Sequence, residues 1–328
     1  PSMEIYSIDE AFLDLSGINF CTDLKEFGYE CQERVRRWTG MPVRVGIGPT
    51  KTLAKAASYG AKKYSATQGI VDLSKPERQR KLMSIMPVGE VWGIGSKLKK
   101  HLNKMGITTA LELVDTDIKL IRRRFSIVLE RTVMELRGYP CIGLEEHPKT
   151  KKEIVVSKTF GKKVTTLESI NEAISDYAAR AAEKLRREKQ YCRVVSVFMR
   201  TNPFRLQDQQ YSNILSYTLN TPTNDTRDIL YATRMLSKRI YKEGYNFIKA
   251  GVMLSDFYDK GIYQSDFFIP ECKRPKSEKL MKTIDKINST GEVKITFAAQ
   301  GIKKPWSMQR YLQSPKYTTN WSDLLVVR

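Results

Sequence analysis

Histidine is scarce in this 328-residue chain, paired cysteine is missing, and no long apolar run occurs. The two histidines, His101 and His147, stand apart from five scattered cysteines, Cys21, Cys31, Cys141, Cys192 and Cys272, none of them in a Cys-x-x-Cys pair. That set argues against a zinc centre and against a disulfide framework. It favours a reduced cytoplasm, where such cysteines serve as small buried hydrophobes. No apolar stretch approaches the roughly 20 residues that cross a bilayer, and the first residues do not resemble a signal peptide. A membrane is therefore not expected as a partner.

Acidic residues are also in short supply: 36 Asp and Glu stand against 56 Lys and Arg, leaving a net charge of +20. Such an excess repels itself in the compact state, so a polyanionic partner is expected, with nucleic acid ahead of an anionic membrane surface. Forty-one per cent hydrophobic residues suffices for several cores, and the length suggests two or three domains.

Residues 4–87 alternate strand-like and helix-like stretches. Glu4–Ser7 and Ala11–Leu15 flank Asp9-Glu10 as in a hairpin with acids at its bend. Asp23–Trp38, Thr50–Lys63 and Lys75–Met86 carry helical patterns, the last opened by Pro76. Val43–Gly48 and Gly69–Leu73 read as strands, so the rhythm is that of an α/β layer. Residues 88–138 change to short cationic helices. There Val91-Trp92-Gly93-Ile94-Gly95, running into Ser96–Lys104, has the cadence of a helix-hairpin-helix unit. Residues 141–153 read as a linker.

From 153 to 256 the pattern strand-helix-strand occurs twice, as in a split βαβ arrangement. Ile170, Ala173, Ile174, Tyr177, Ala181 and Leu185 share one helical face. Leu215, Tyr217 and Leu219 alternate with Ser216 and Thr218, which predicts a sheet with one open polar face. The tail, 257–328, shows no core of its own.

Chemistry concentrates first at Ser7-Ile8-Asp9-Glu10-Ala11. Carboxylates converging at a bend suit hard divalent cations such as Mg²⁺, although two solvated acids at a turn explain the spacing as simply. The loop Pro49-Thr50-Lys51 then enters a helix bearing Lys51, Lys55, Lys62 and Lys63. A helix start beside cations suits a triphosphate, and Lys55 and Lys62 lie on one face. A solvated basic face is the plain alternative.

These segments together carry a family resemblance. EIYSIDEAFLDLSG is similar to the second palm motif of Y-family translesion DNA polymerases, and PVRVGIGPTKTLAKAASYGAKK to the nucleotide-binding stretch that follows it. MPVGEVWGIGSKLKKHLNKMGI resembles their thumb, and the doubled βαβ unit resembles their little finger. DLSKPERQRKLM, VLERTVMELRG and the KPWSMQRYLQSPKYTTNWSDLL tail point to the bacterial UmuC branch. The resemblance implies a multidomain α+β fold. Residues 1–87 would form a partial α/β palm, 88–143 a helix-hairpin-helix thumb, 144–256 a βαββαβ little finger, and 257–328 a partner-binding extension.

The implied activity is error-prone, template-directed nucleotidyl transfer with two Mg²⁺ in the DNA damage (SOS) response. Asp9 and Glu10 correspond to two of three metal-binding catalytic carboxylates. Lys62, with Ser7 beside the acids, corresponds to the nucleotide site. Gly93, Gly95 and Ser96 correspond to a DNA-phosphate site, to which charge and placement add Lys97 and Lys100. Gln264, Phe267 and Phe268 resemble a sliding-clamp peptide. The tail resembles one that meets a UmuD′-type accessory subunit and the RecA filament. Primer-template DNA and deoxynucleoside triphosphates complete the implied partners, and a nucleoid-associated cytoplasmic location follows.

The departure from the family lies at the front. Its first motif, an aspartate followed by aromatics, and its fingers precede the point at which this sequence opens. Two carboxylates without a third should hold a Mg²⁺ pair poorly, so the chain alone is expected to bind DNA without turning over. Two rivals stand beside this reading: a non-catalytic DNA-binding or accessory protein, and a helix-hairpin-helix repair glycosylase. The glycosylase would need a catalytic Lys or Asp immediately after the hairpin, where Ser96-Lys97-Leu98 stands instead.

Overall fold

The segment from Val45 to Asp72 folds as the strand-helix-strand unit that its patterning predicts. A computed structural model describes residues 2–17, 23–145, 150–262, 276–290, 294–308 and 312–325. They divide between two units, Pro1–Lys149 and Thr150–Arg328. Among the described residues no helix is long and apolar enough to cross a membrane.

In the first unit, β1 (Met3–Ile5) and β2 (Ala11–Leu13) form an antiparallel hairpin with Glu4 opposite Phe12. Helix α1 (Leu24–Thr39) starts at Asp23, whose carboxylate accepts the Lys25 and Glu26 amides. Strands β3 (Val45–Ile47) and β4 (Ile70–Asp72) pair in parallel, and α2 (Lys51–Lys63) crosses between them. Thr50 caps α2 by accepting the Leu53 amide. Helix α3 (Pro76–Ile85) begins on its proline, which has no amide to leave unpaired. The rest is helical: α4 (Ser96–Lys104), α5 (Ala110–Asp115), α6 (Ile118–Arg124) and α7 (Ile127–Leu136). One hydrophobic core runs without interruption from Leu53 of α2 through Leu82, Val91, Ile94, Leu102 and Leu113 to Leu136 of α7.

The second unit is built on β5 (Glu153–Val164), β6 (Gln190–Thr201), β7 (Ser212–Thr223) and β8 (Phe247–Asp259). Their order is β5-β8-β6-β7, antiparallel at every join. Each strand-helix-strand unit is thus split by a strand of the other, with α8 (Leu167–Arg187) and α9 (Thr226–Ile240) as the crossovers. All six residues of the helical face read from spacing in α8 are fully buried. On β7, Leu215, Tyr217 and Leu219 pack against the core while Ser216 and Thr218 are exposed, as the alternation predicts.

The tail has no core of its own, but it contains a helix the sequence did not announce and feeds one residue into the second unit's core. Ser277–Thr290 forms a further helix, α10, and Trp306 is 3% exposed within the core of the second unit. The apolar positions of α10 (Leu280, Met281, Ile284, Ile287) recur at helical spacing, but the charged residues between them masked that period. Near Trp306, burial pushes the Asp176 carboxyl up, yet hydrogen bonds from Lys304 and Gln300 and the charges of Arg180 and Lys304 outweigh it. The net effect holds Asp176 below the usual carboxylate range.

Two predictions follow from this packing. A Cβ at Gly46 would stand 2.3 Å from the Ser58 amide nitrogen and 2.4 Å from the Ala54 carbonyl oxygen, so β3 reaches α2 only through glycine. Gly46→Ala should therefore cost about 2–3 kcal/mol of first-unit stability in urea denaturation, as overpacking does; an unchanged midpoint would contradict the close approach. A carboxylate with a depressed folded value contributes stability above its unfolded value, about 3.9, and loses it as pH falls through the folded value. Acid unfolding of the second unit should accordingly lose part of its pH dependence below about pH 4 in Asp176→Asn.

Candidate active site and nucleic-acid interface

The bend between β1 and β2 holds its acids in place by local hydrogen bonds. The Tyr6 and Ser7 amides both donate to the Glu10 carbonyl at 3.0 Å. The Ser7 hydroxyl donates to Asp9 Oδ1 at 2.5 Å and accepts from the Asp9 amide at 3.3 Å. Asp9 and Glu10 are both exposed.

Helix α2 lies against this bend. Lys55 Nζ is 2.5 Å from Glu10 Oε1 and lies 5.5 Å from the centroid of the Tyr6 ring. One turn earlier, Lys51 Nζ is 2.7 Å from Glu4 Oε2, donates to the Gly143 carbonyl at 3.2 Å and sits 4.7 Å from the Phe12 centroid. Glu4 also accepts the Glu145 amide at 2.7 Å. Tyr6, Phe12 and Trp92 pack edge-on or tilted with centroids 5.5–5.9 Å apart, and Trp92 Nε1 donates to the Tyr6 hydroxyl at 3.1 Å. The acidic bend, the lysine helix and the Trp92 loop therefore form one constellation.

The start of α2 is fixed from behind by Glu135 of α7, a carboxylate with no solvent exposure. One oxygen accepts the Thr52 amide and hydroxyl, each at 2.9 Å. The other accepts the Cys141 and Ile142 amides, each at 2.9 Å. Thr50 adds a hydroxyl donated to the Glu135 carbonyl at 2.9 Å. Sequence reading missed Glu135, Glu4 and the role of Lys51. Glu135 sits 83 residues from Thr52, and a lone Glu on a helix announces no partner.

Of the residues singled out from sequence, Ser7, Asp9 and Glu10 come together, with Lys55 on Glu10. Lys62 is exposed on the last turn of α2, about 10 Å along the axis from Lys55. Hard carboxylate oxygens suit Mg²⁺, which commonly takes one or two protein carboxylates together with phosphates and water. Among the described residues no group of three or more His, Cys, Asp or Glu is placed to hold a metal ion.

The Trp92 loop leads into a second candidate surface. Gly93 has φ +88°, a left-handed backbone, and Ile94 is buried beneath the turn. Gly95 precedes α4 with φ −81°, a Cβ there would meet nothing within 4 Å, and no side chain caps the helix. Neither φ nor packing demands glycine at 95, which holds the N-cap position of α4, where glycine is among the preferred residues. Gly93, Gly95, Ser96, Lys97 and Lys100 are all exposed.

In the second unit the sheet face opposite the helices is mixed, with Phe198, Ile214 and Met253 among Ser, Thr, Arg and Lys side chains. Ser196 and Ser216 hydroxyls are 2.8 Å apart across the strands, and Arg200 stands opposite both Lys249 and Ser212. Gln264, Phe267 and Phe268 lie outside the described residues.

Residues 1–59 match the impB/mucB/samB family, and residues 151–267 match the impB/mucB/samB family C-terminal domain. Residues 278–327 match a domain of unknown function (DUF4113). Protein UmuC of Salmonella typhimurium is 48% identical over 330 residues, spanning 100% of this chain and 78% of that protein. Protein MucB of Escherichia coli is 48% identical over 322 residues, spanning 98% and 76%. DNA polymerase IV 2 of Bacillus subtilis is 31% identical over 306 residues, spanning 90% and 71%. Among solved structures, a Y-family DNA polymerase chimera superimposes with a TM-score of 0.57 at 18% identity, over 79% of this chain and 72% of that one, which bears on the fold alone.

The Glu135 network makes a quantitative prediction. Glu135→Gln turns one acceptor into a donor facing buried amides, and each unsatisfied donor costs about 1–3 kcal/mol. The urea midpoint of the first unit should fall by about 1 M, with faster exchange of the Thr52 and Ile142 amides. Glu130→Gln, on the same helix with its carboxylate about one-third exposed, should move the midpoint little.

Proposed function

The chain belongs to the impB/mucB/samB family, the UmuC branch of the Y-family DNA polymerases, and from that premise we propose template-directed extension of a primer across damaged DNA as its chemistry. The observation that carries this reading is the Asp9-Glu10 bend with the lysine helix α2 laid against it.

In that chemistry a primer 3′-hydroxyl attacks the α-phosphate of a deoxynucleoside triphosphate in line, and pyrophosphate leaves. Asp9 and Glu10 would hold Mg²⁺, which when bound supplies charge neutralisation and a more acidic hydroxyl. Ser7 orients the Asp9 carboxylate. Lys55 neutralises Glu10 and is placed to exchange that partner for a phosphate oxygen, and Lys62 offers a second cation on the same helix. Gly95 admits a DNA phosphate to the first amides of α4, with Lys97 and Lys100 beside it. On the open sheet face of the second unit, Arg200 and Lys249 on the two central strands are placed to meet a duplex backbone.

In these terms residues 1–87 act as palm, 88–143 as thumb, 144–256 as little finger and 257–328 as the partner-meeting extension. Gln264, Phe267 and Phe268 are proposed for a sliding clamp, and the tail for a UmuD′-type subunit and the RecA filament. A second reading, a DNA-binding chain that does not itself extend primers, is favoured by the donor set, which brings two carboxylates to the bend and no third among the described residues.

The deciding experiment is primer extension with Mg²⁺ on intact and abasic templates, run beside a salt titration of DNA binding. Extension abolished by Asp9→Ala with Glu10→Ala, at unchanged DNA affinity, supports the polymerase reading. Salt-dependent binding with no extension supports the second. Lys97→Ala with Lys100→Ala should weaken binding about equally on all sequences and make the log–log salt slope shallower by about two. An unaltered slope would remove α4 from the interface.

A further inference from the structure

We propose that residues 294–308 are an intramolecular strap that completes the helical side of the second unit. The stretch matched only as a domain of unknown function then begins as a structural part of the domain before it. The inference stands on packing and is independent of the catalytic reading.

The strap meets α8 and the end of β5 through contacts of different kinds. The Trp306 ring sits edge-on to Tyr177 and Phe160, with centroids 5.7 and 6.5 Å away. The Gly161 amide donates to the Trp306 carbonyl at 3.1 Å, so the strap also bonds the β5 backbone. Asp176, on α8 and 2% exposed, receives Lys304 and Gln300 from the strap, while Arg180 one turn along α8 takes its other oxygen at 3.2 Å. Gln300 also accepts the Phe297 amide at 2.8 Å, which ties the strap's own turn to the same carboxylate. Gly301 has φ +67°, and a Cβ there would stand 2.5 Å from the Glu172 carboxyl carbon, so the turn is pressed onto α8.

These contacts are specified from both sides. Asp176, Tyr177 and Phe160 belong to the C-terminal-domain match at 151–267, whereas Gln300, Lys304 and Trp306 belong to the match at 278–327. Without the strap, α8 would present a carboxylate that has lost two of its partners beside two uncovered aromatic rings. A purely solvent-borne extension has no reason to carry a tryptophan and a lysine at the spacing that fills this site.

Helix α10 is fastened differently. Arg186 grips both oxygens of Asp285 at 2.6 and 2.7 Å, Ser277 hydrogen-bonds to Asp225, and only Met281 is fully buried. The strap therefore supplies the apolar closure and α10 the polar attachment. Beyond the strap, Leu312, Trp321 and Leu325 are 100%, 89% and 80% exposed, and within it Ile302 is 99% exposed.

The test uses the full chain and hydrogen exchange read by mass spectrometry on β5 and α8, with calorimetry alongside. Trp306→Ala should lower the melting transition of the second unit by on the order of 10 °C and speed exchange around Gly161 and Asp176. A chain ended at Thr290, which keeps α10 and loses the strap, should show the same pattern. Lys304→Met, which leaves the core intact, should speed exchange around Asp176 by several-fold and serves where the other variants fail to fold. Unchanged melting and unchanged β5 and α8 protection, in the shortened chain or in Lys304→Met, would overturn the proposal.

Discussion

Glu135 is the group on which the geometry of the first unit depends. A carboxylate with no solvent exposure is costly to bury, and it persists because four donors converge on its two oxygens. Two of those donors are the amide and hydroxyl of Thr52 in the first turn of α2. The other two are backbone amides just past α7. One negative charge thus satisfies an otherwise orphaned helix-start amide and pins the chain that turns back toward Lys51 and Glu4. Because α2 is fixed at its first turn, Lys51 and Lys55 emerge at a defined height and reach Glu4 and Glu10. A site whose cations stand on a clamped helix is held more tightly than one built on loops.

The basic excess divides into two populations with different work. Lys51, with about a tenth of its side chain exposed, is neutralised inside the protein by Glu4, and Lys55 pairs with the exposed Glu10. Arg186 is likewise spent on Asp285 and on the Asn224 carbonyl, and Lys304 on Asp176. Lys62, Lys97 and Lys100 stand exposed instead. Net charge alone does not separate these groups, since a paired cation and an exposed one count the same. Placement, and not the total of +20, therefore sets which lysines remain free to meet an anion.

Much of this was legible in the sequence where the signal is local. The Asp9-Glu10 bend, the caps at Asp23 and Thr50, the proline opening α3 and the glycine turn before α4 announce themselves through residue type and spacing. The buried face of α8 follows from a 3.6-residue period over five turns. Contacts between distant segments were not legible. Glu135 looks like any glutamate on a short helix, and Trp306 looks like one aromatic among several in a charged tail. Their partners at Thr52 and Tyr177 are fixed only once the fold brings them near. The same holds for α10, whose single fully buried residue, Met281, leaves a weak apolar period between charges.

The open sheet face of the second unit follows from chain handedness more than from any one side chain. Each crossover joins two strands that run in the same direction with one strand between them, and such connections are right-handed almost without exception. Two right-handed units interleaved in one sheet bring α8 and α9 to the same side, and the strap joins them there. The other side is then left uncovered by construction. On β7 this face carries Ser216 and Thr218 where Leu215, Tyr217 and Leu219 face inward, with Ile214 exposed beside them. Arg200 and Lys249 stand side by side on this face, among apolar and small polar side chains. The topology that gathers both helices and the strap on one side thus leaves the other side of the sheet without helices.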